Sequence, residues 1–309
     1  MTADGTTDAA TPDVAAVIVT YNRADKLGTV LDHVLAQERA PHQVIVVDNA
    51  STDDTEKVLA AYADRPTVSI ERLTENTGGA GGFSHGMSLA YERGADFVWI
   101  MDDDCYADPT ALGELLDGHA AAEKSMGMRL PYACSVVRWT DGDICEMNNP
   151  EPTWDWGKLL VRGESSVLVN SCSFVSVLFP RWVLSEFGLP LAEYFIWFDD
   201  QEYTRRITKA GPGVQVLRST VTHDLGVNRG VNFGDVNAGN MWKFEYGVRN
   251  EASYRWHHED PFAAMRFAQR LHRGLRGGRV SRRLRLRLAR KFLEGVRFDP
   301  KPSFPPSAR

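Results

Sequence analysis

Three consecutive carboxylates follow an apolar segment in the first half of the chain. Residues 97–104 have the sequence FVWIMDDD, so a strand-like run ends directly in Asp102, Asp103 and Asp104. Like charges this close repel and raise one another's pKa unless a cation neutralises them. Hard divalent cations such as Mg²⁺ and Mn²⁺ bind carboxylate oxygens. Because side chains alternate along an extended segment, Asp102 and Asp104 are predicted to share a metal while Asp103 faces a neighbouring ligand. A solvated acidic turn is the alternative.

A second acidic pair lies among aromatic side chains, in the sequence FIWFDDQEYTR over residues 195–205. Partial desolvation by aromatics would raise the pKa of Asp199 or Asp200 toward the range of a general base. The alternative is a helix N-terminus, where the macrodipole favours acidic residues, and it can hold for one of the two. His223, in VTHDLG, is a candidate third metal ligand, although a single histidine is more often structural.

Weaker candidates surround these groups. The glycine-rich sequence NTGGAGG at 76–82 could offer backbone N–H groups to a phosphate, but it matches neither the dinucleotide nor the P-loop pattern, and a flexible turn is the alternative. Asp48 could accept hydrogen bonds from a ribose or base, or cap a helix. Three tryptophans could stack on sugar rings, although packing is their commoner use; they are Trp154, Trp156 and Trp197.

The elements that must position these residues alternate between strand and helix. Apolar runs predict strands at 14–20, 43–47, 68–73 and 97–101, with helices at 26–37, through Val58 to Tyr62, and at 84–93 after a glycine loop. This order is typical of a parallel α/β sheet. Ligands of such sheets bind beyond the carboxyl ends of the strands. The polar segments 20–23, 48–49, 76–82 and 102–104 all fall at those ends.

The pattern is weaker after residue 110. Helices are predicted at 109–124, 181–187, 201–210 and 240–255, with one or two basic helices over 261–293, broken near Gly277 and Gly278. Strands are predicted at 134–139, 158–161 and 173–179, and a loop at 148–156. These strands would extend the parallel sheet into a mixed one.

The composition is that of an ordinary globular protein, since 43% of the 309 residues are apolar and 25% are charged. No run of 18 apolar residues predicts a transmembrane helix. Residues 1–13 are polar and are predicted to form a short disordered leader without a secretion signal. The four cysteines have no CxxC spacing, which favours free thiols in a reducing cytosol.

The formal charge of −6 is unevenly distributed. Residues 266–309 contain 14 Lys and Arg against two acidic residues, which gives this segment +12 and leaves −18 on residues 1–265. Such a basic segment indicates a polyanionic partner, either anionic lipid or nucleic acid. Apolar residues alternate with basic ones in LRLRLARKFL, which is compatible with an interfacial helix; a solvated basic helix is the alternative.

Five segments together resemble the family 2 inverting glycosyltransferases with the GT-A fold. They are VIVTYNR (17–23), VIVVDNASTDDT (44–55), NTGGAGGFSHGM (76–87), WIMDDDC (99–105) and FDDQEYTRR (198–206). The resemblance covers about residues 14–225. It implies an α/β, Rossmann-like, mixed but mainly parallel sheet flanked by helices, with a basic helical C-terminal extension. The expected domains are a catalytic domain at 14–235, with a nucleotide-binding half (14–108) and an acceptor-binding half (109–235), and a helical polybasic region at 236–309.

Within the family, the glycine-rich segment, the DDD form of the metal motif, the WFDDQEY segment and the HDLG sequence resemble bacterial galactofuranosyltransferases. The chain length is similar to that of the enzymes that initiate mycobacterial-type arabinogalactan synthesis. This resemblance implies UDP-galactofuranose as donor, Mn²⁺ or Mg²⁺ as cofactor, and a polyprenyl-diphospho-GlcNAc-rhamnose acceptor at the cytoplasmic membrane face. By motif, the metal ligands are Asp102, Asp104 and His223, and the catalytic base is Asp200. Donor-binding residues are Thr20, Arg23, Asp48, Asn76, Gly81 and Asp103, and acceptor-binding candidates are Trp197, Asp199, Trp154 and Trp156.

The inferred acceptor also favours a partner for the basic segment. A lipid-linked acceptor makes anionic membrane the expected partner of residues 266–291, rather than nucleic acid, and predicts peripheral association with the inner membrane face. The oligomeric state stays open. The alternative functions are a rhamnosyltransferase using dTDP-rhamnose, another family 2 transferase, or a non-enzymatic sugar-nucleotide-binding scaffold. The complete set of acidic residues and His223 argues against the scaffold.

Overall fold

A mixed sheet of ten strands forms the centre of the computed structural model, which describes residues 11–308. The strands are, in chain order, β1 (Val14–Thr20), β2 (Gln43–Asp48), β3 (Val68–Arg72), β4 (Phe97–Asp102), β5 (Cys105–Ala107), β6 (Ala133–Trp139), β7 (Glu151–Pro152), β8 (Ser166–Ser171), β9 (Val177–Pro180) and β10 (Gly213–His223). Their order across the sheet is β3-β2-β1-β4-β9-β6-β10-β8-β7, and β5 pairs with β10. Strands β3, β2, β1 and β4 are parallel, and β9 lies antiparallel between β4 and β6.

Helices cover both faces of this sheet and form the C-terminal region. They are α1 (Ala24–Leu35), α2 (Thr55–Ala60), α3 (Gly78–Glu92), α4 (Ala111–Met126), α5 (Lys158–Val161), α6 (Arg181–Phe187), α7 (Asp199–Ile207), α8 (Met241–Tyr254), α9 (Pro261–Gly277) and α10 (Arg282–Arg297). Short helical turns lie at Glu146–Asn148, Ala192–Tyr194, Phe233–Asp235 and Pro306–Ala308, and a wider π-type turn at Arg255–Glu259 follows α8. Within residues 11–308, the helices are too short or too polar to cross a membrane.

Strand β1 is buried along its whole length because helices lie on both of its faces. Ile18 packs with Leu27 of α1 on one face, while Val17 packs with Phe83 of α3 on the other. Each buried side chain of this size contributes about 1.5–3 kcal/mol to folding. Helices α8, α9 and α10 pack around a separate apolar cluster. The sheet and the C-terminal helices therefore have distinct cores.

The predicted α/β architecture with a mixed, mainly parallel sheet is confirmed, and the first four strands are within one residue of their predicted ends. Two local predictions were wrong. Residues 158–161 form helix α5 rather than a strand, because a four-residue apolar run does not distinguish the two. The strand predicted at 173–179 begins only at Val177. The first ten residues of the predicted leader lie outside the described residues.

The glycine run was also predicted wrongly, since it begins α3 instead of forming a loop. Glycine lowers helix propensity, but here it permits close packing of the helix on the sheet. A Cβ at Gly82 would lie 2.4 Å from Val19 Cγ1, and one at Gly86 would lie 2.4 Å from Val17 Cγ1. Close packing on β1 thus outweighs the low helix propensity of the glycines.

Candidate active site

Strand pairing brings the triple carboxylate next to His223. Asp102 ends β4 opposite Val19 of β1, at the carboxyl end of the parallel strands. The chain turns at once into β5, whose Cys105 pairs with His223 at the end of β10. The backbone N–H of Asp224 donates to the carbonyl of Asp104 over 2.9 Å, which fixes this turn. Two segments about 120 positions apart in sequence thus meet at one edge of the sheet.

Asp102, Asp104 and His223 form a cluster that fits a divalent cation. Each offers one ligand atom, and these atoms all lie within 4.8 Å of one another. Carboxylate oxygens with one imidazole nitrogen are a donor set suited to Mn²⁺ and compatible with Mg²⁺. Burial raises the pKa of Asp102 to about 7; His223 opposes this shift, and the neighbouring carboxylates add to it. Positive charge at this point would therefore stabilise the cluster.

Asn148 orients the imidazole of His223. Burial lowers the pKa of His223, but contacts with Asp104, Cys145 and Asp102 outweigh it and raise that pKa to about 10. His223 Nδ1 lies 2.8 Å from Asn148 Oδ1, and His223 Nε2 lies 2.9 Å from Asp104 Oδ1. Because an amide oxygen only accepts, Nδ1 carries a proton and Nε2 is the nitrogen directed at the cluster. Sequence reasoning missed Asn148, whose position in a loop gives no local signal.

Asp103 points away from the cluster toward the end of β1. Its Oδ2 accepts from the backbone N–H of Tyr21 over 3.2 Å, and burial raises its pKa to about 6. The half-exposed Arg23 contacts both Asp103 and Asp104, with Nη2 3.5 Å from Asp104 and Nε 4.0 Å from Asp103. Lys26 Nζ lies 3.1 Å from Asp224 Oδ2 on the other side. Two long cationic side chains, those of Arg23 and Lys26, therefore lie beside this acidic region.

The other predicted donor-binding residues lie around the ends of β1 and β2 and the start of α3. Asp48 is buried; its Oδ1 accepts from the N–H of Ser51 over 2.8 Å, and its Oδ2 lies 3.6 Å from Arg72 Nε. Asn76 Oδ1 accepts from the N–H of Gly78 over 2.8 Å. The buried Thr20 hydroxyl makes no hydrogen bond of good geometry within residues 11–308, although it approaches Asp103 closely enough to lower that residue's pKa.

The amide groups at the start of α3 are largely occupied by the protein itself. Asn49 accepts from the N–H of Thr77 and donates to the carbonyl of Gly78, each over 2.8 Å, and the N–H of Ala80 donates to the carbonyl of Phe195 over 3.1 Å. Gly78 has φ +72°, and a Cβ there would lie 2.0 Å from the Phe195 oxygen. Gly81 lies one turn further into the helix. Gly78 thus permits a close contact with the segment that precedes Asp199.

Asp199 and Asp200 begin α7, directly after a backbone segment with an unusual conformation. Phe195, Trp197 and Phe198 have φ of +64°, +65° and +72°, values that bulky residues rarely adopt. Burial raises the pKa of Asp200 to about 6, with Arg205 and the N–H of Gln201 opposing the shift. Burial and the adjacent Asp200 raise the pKa of Asp199 well above its usual range.

Both pKa values are raised, and that of Asp200, at about 6, lies in the range in which a carboxylate can accept a proton near neutral pH. Asp102 also raises the pKa of Asp199, and Asp200 raises that of Asp102, so the two acidic groups interact electrostatically. The potential proton acceptor is therefore close enough to the potential cation site to affect its charge.

The three candidate tryptophans lie in different surroundings. Trp197 is half-buried and packs edge-on against Phe244 of α8, with ring centroids 4.9 Å apart. Trp154 is 93% exposed and lines a surface cavity of about 400 Å³ together with Lys209. Trp156 is 49% exposed in the same segment. Only Trp197 adjoins the second acidic pair in the chain.

Comparison with known proteins gives the family. Residues 15–166 match the glycosyl transferase family 2. The galactofuranosyltransferase GlfT1 of Mycobacterium tuberculosis is 35% identical over 227 residues, which cover 70% of this chain and 71% of that protein. The chain belongs to glycosyltransferase family 2. The GlfT1 of Mycolicibacterium smegmatis is 32% identical to this family 2 glycosyltransferase over 229 residues, covering 70% of the chain and 72% of the relative. The prediction of a transferase is confirmed.

Solved structures share the fold of this family 2 glycosyltransferase. Staphylococcus aureus TarS (residues 1–349, with UDP) has a TM-score of 0.57 at 16% identity, over 92% of this chain and 81% of that one. GalNAc-T7 with UDP, GalNAc and Mn²⁺ has a TM-score of 0.61 at 14% identity, over 95% of this chain and 55% of that one. At these identities the comparison shows the fold alone, which is GT-A.

Proposed function

We propose that this glycosyltransferase transfers galactofuranose from UDP-galactofuranose to a polyprenyl-diphospho-GlcNAc-rhamnose acceptor and so initiates a cell-wall galactan. The observation that carries the proposal is a cation-fitting cluster that interacts electrostatically with Asp200, whose pKa is raised to about 6, in a chain 35% identical to a galactofuranosyltransferase over 70% of its length. The TarS and GalNAc-T7 structures, which contain UDP, support a UDP-linked donor.

The metal fits the residues present. Asp102, Asp104 and His223 would hold Mn²⁺ or Mg²⁺, with Asn148 fixing the imidazole. When bound, the cation supplies positive charge that neutralises the departing UDP diphosphate. Arg23, half-exposed beside these carboxylates, is the protein's own cation for that diphosphate. Thr20, Asp48, Asn76, Gly81 and Asp103 would line the nucleotide side of the donor site.

The reaction follows from the protonation state of Asp200. Its carboxylate takes the proton from an acceptor hydroxyl while the hydroxyl oxygen attacks the anomeric carbon of the donor sugar. The new glycosidic bond forms as the bond to UDP breaks, so the configuration inverts and no enzyme nucleophile is required. Asp199, whose pKa is raised well above its usual range by burial, would contact the acceptor. Trp197, and more peripherally Trp154 and Trp156, would contact its sugars.

The outer surface of the C-terminal helices supports a lipid-linked acceptor. Leu286 and Leu293 are exposed on α10, on the same helix face as the exposed Arg283 and Arg290. Apolar and basic side chains on one face suit the surface of an anionic membrane, where each basic residue contributes about 1 kcal/mol. We therefore propose peripheral binding of residues 266–291 to the inner membrane face. Co-sedimentation with anionic vesicles, compared with neutral ones at low and high salt, tests it.

Donor turnover tests the proposed function directly. UDP-galactofuranose, UDP-galactopyranose and dTDP-rhamnose would be compared with Mn²⁺ or Mg²⁺ on a synthetic rhamnosyl-GlcNAc lipid acceptor. We expect metal-dependent transfer from UDP-galactofuranose alone. Transfer from dTDP-rhamnose would keep the fold and the mechanism but overturn the donor, and equal turnover in excess EDTA would overturn the metal site.

A further inference from the structure

Helix α8 contacts the backbone that leads into the second acidic pair. Asn250 of α8 is fully buried, and its Nδ2 lies 2.8 Å from the carbonyl oxygen of Tyr194, 3.1 Å from that of Ile196 and 2.8 Å from that of Trp197. Its Oδ1 accepts from Arg249, with Nε at 3.0 Å and Nη2 at 2.9 Å. The amide nitrogen of Asn250 thus bonds three carbonyls of a single segment. The Arg249 guanidinium fixes the orientation of that amide.

The gathered segment is the one with unfavourable backbone dihedrals. Phe195, Trp197 and Phe198 all have positive φ, and such residues persist only where the surroundings impose the conformation. Rotating the peptide groups would relieve this conformation but would break the hydrogen bonds from the buried Asn250 amide. Asn250 opposes that rotation because its N–H groups are directed at the carbonyls in their present orientation.

Two further contacts fix the same segment from α8. Arg249 Nη2 donates to the carbonyl of Glu193 over 2.6 Å. Gly247 leaves room for the Trp197 ring, since a Cβ there would lie 2.7 Å from Trp197 Cε3. Helix α8 lies outside the family-matched residues 15–166. A helix of the C-terminal region therefore shapes the backbone immediately before Asp199 and Asp200.

We propose that Asn250 is a positioning residue for Asp200, acting through the backbone of residues 194–198. This proposal rests on the proposed role of Asp200 as the base. Because α7 begins at Asp199 with no residue between it and the strained segment, any change in the Trp197 or Phe198 peptide groups redirects the Asp200 carboxylate. Asn250 is fully buried, so its effect is on the geometry of proton transfer.

The decisive variant is Asn250→Asp, which keeps the size of the side chain but replaces the N–H donors by an oxygen facing three carbonyls. We expect kcat to fall about 100-fold, the effect of an ångström-scale misplacement, while the affinity for UDP and Mn²⁺ stays within about twofold. The matched control is Ser253→Ala, also fully buried on α8, whose hydroxyl donates to the carbonyl of Phe298 and accepts from the side-chain hydroxyl of Tyr194, rather than bonding the backbone of residues 194–198. It should lower the melting temperature but leave kcat within a few-fold.

Hydrogen exchange provides a readout that does not depend on turnover. In the Asn250→Asp protein without substrates, amides 194–202 should exchange faster than in the wild type, with those of α3 residues 83–92 as internal reference. If no donor is turned over by the wild type, the proposed function fails while this measurement still tests the contact. Should Asn250→Asp not fold, Arg249→Lys, which removes the forked contact to Oδ1, should lower kcat about tenfold in the same manner.

Two results would overturn the proposal. One is a normal kcat in a folded Asn250→Asp protein. The other is equal loss of kcat in Asn250→Asp and Ser253→Ala at equal melting temperature, because that would indicate general destabilisation of α8 rather than misplacement of Asp200.

Discussion

The two acidic groups of this enzyme, Asp102–Asp104 and Asp199–Asp200, differ in the electrostatic environment of their carboxylates. Burial raises the pKa of Asp104, but His223, Arg23 and Lys26 outweigh it, and the net pKa is lowered. Asp199, in contrast, has an acidic neighbour instead of a cationic one, and its pKa rises well above the usual range. In the first group Asp104 is thus compensated by cationic side chains, although burial raises the pKa of Asp102, whereas burial raises the pKa of both acids in the second group.

This difference indicates two kinds of chemistry from one residue type. A carboxylate that stays ionised next to cations is suited to hold a metal and a charged leaving group. A carboxylate with a pKa of about 6, such as Asp200, is suited to accept a proton near neutral pH. The supports differ too, because regular strands hold the first group and a strained segment holds the second.

The largest effect should come from removing the base. Asp200→Asn is expected to lower kcat by about 10²–10⁴-fold, the usual contribution of general base catalysis, without changing the affinity for UDP and Mn²⁺. Steady-state transfer assays and calorimetric titration with UDP and Mn²⁺ measure the two quantities.

Asp199→Asn is the matched control for this substitution. Asp199 is not assigned the proton-transfer role, and an amide keeps the size and polarity of its side chain, so kcat should stay within about tenfold. If Asp199→Asn abolished turnover while Asp200→Asn kept it, the roles of the two residues would have to be exchanged.

The first acidic group can be tested through Asn148, which accepts from His223 and does not belong to the cluster itself. Asn148→Leu removes that acceptor at similar volume. We expect a 10–100-fold loss of Mn²⁺ affinity, typical of residues that orient a metal-ligating histidine, with activity largely regained at saturating Mn²⁺. Titration of Mn²⁺ followed by electron paramagnetic resonance gives the affinity.

Asn228→Ala controls for damage to the same loop. Asn228 bonds the backbone of Glu146 and Ile144 but does not contact His223. Its substitution should leave Mn²⁺ affinity nearly unchanged. Equal weakening by Asn148→Leu and Asn228→Ala would mean that loop order, rather than imidazole orientation, determines metal binding.

The same contrast explains what the sequence could predict. The strands that support the first group have apolar runs that end in polar residues, and this local pattern located Asp48 and Asp102–Asp104 at the sheet edge. The pairing of Cys105 with His223 has no local signature, so sequence reasoning offered His223 as a candidate third ligand, and the family resemblance then implied that role.

The asparagines that organise the site could not be found in this way. Asn49 bonds the start of α3 across 29 positions, Asn148 bonds His223 across 75, and Asn250 bonds Tyr194 across 56. Asparagine is common in turns and on surfaces, so its presence at a position indicates nothing about a distant partner. The strained backbone at 195–198 was equally hidden, because its conformation is imposed by α3 and α8.

The smallest expected effect is the pH dependence of turnover, which separates the two groups without altering their environment. Asp200 must be ionised to accept a proton, and burial raises its pKa to about 6. At saturating donor and metal, kcat should therefore be level above pH 7 and fall about tenfold per pH unit below 6, as protonation removes the base.

Asp200→Glu should move this acidic limb of the kcat profile along the pH axis, since the longer carboxylate has different solvation. Asn148→Leu at saturating Mn²⁺ should leave it in place, because Asn148 acts on the first group only. A limb that moved with Asn148→Leu and not with Asp200→Glu would assign the titration to the metal-binding carboxylates, of which Asp102 has a pKa of about 7.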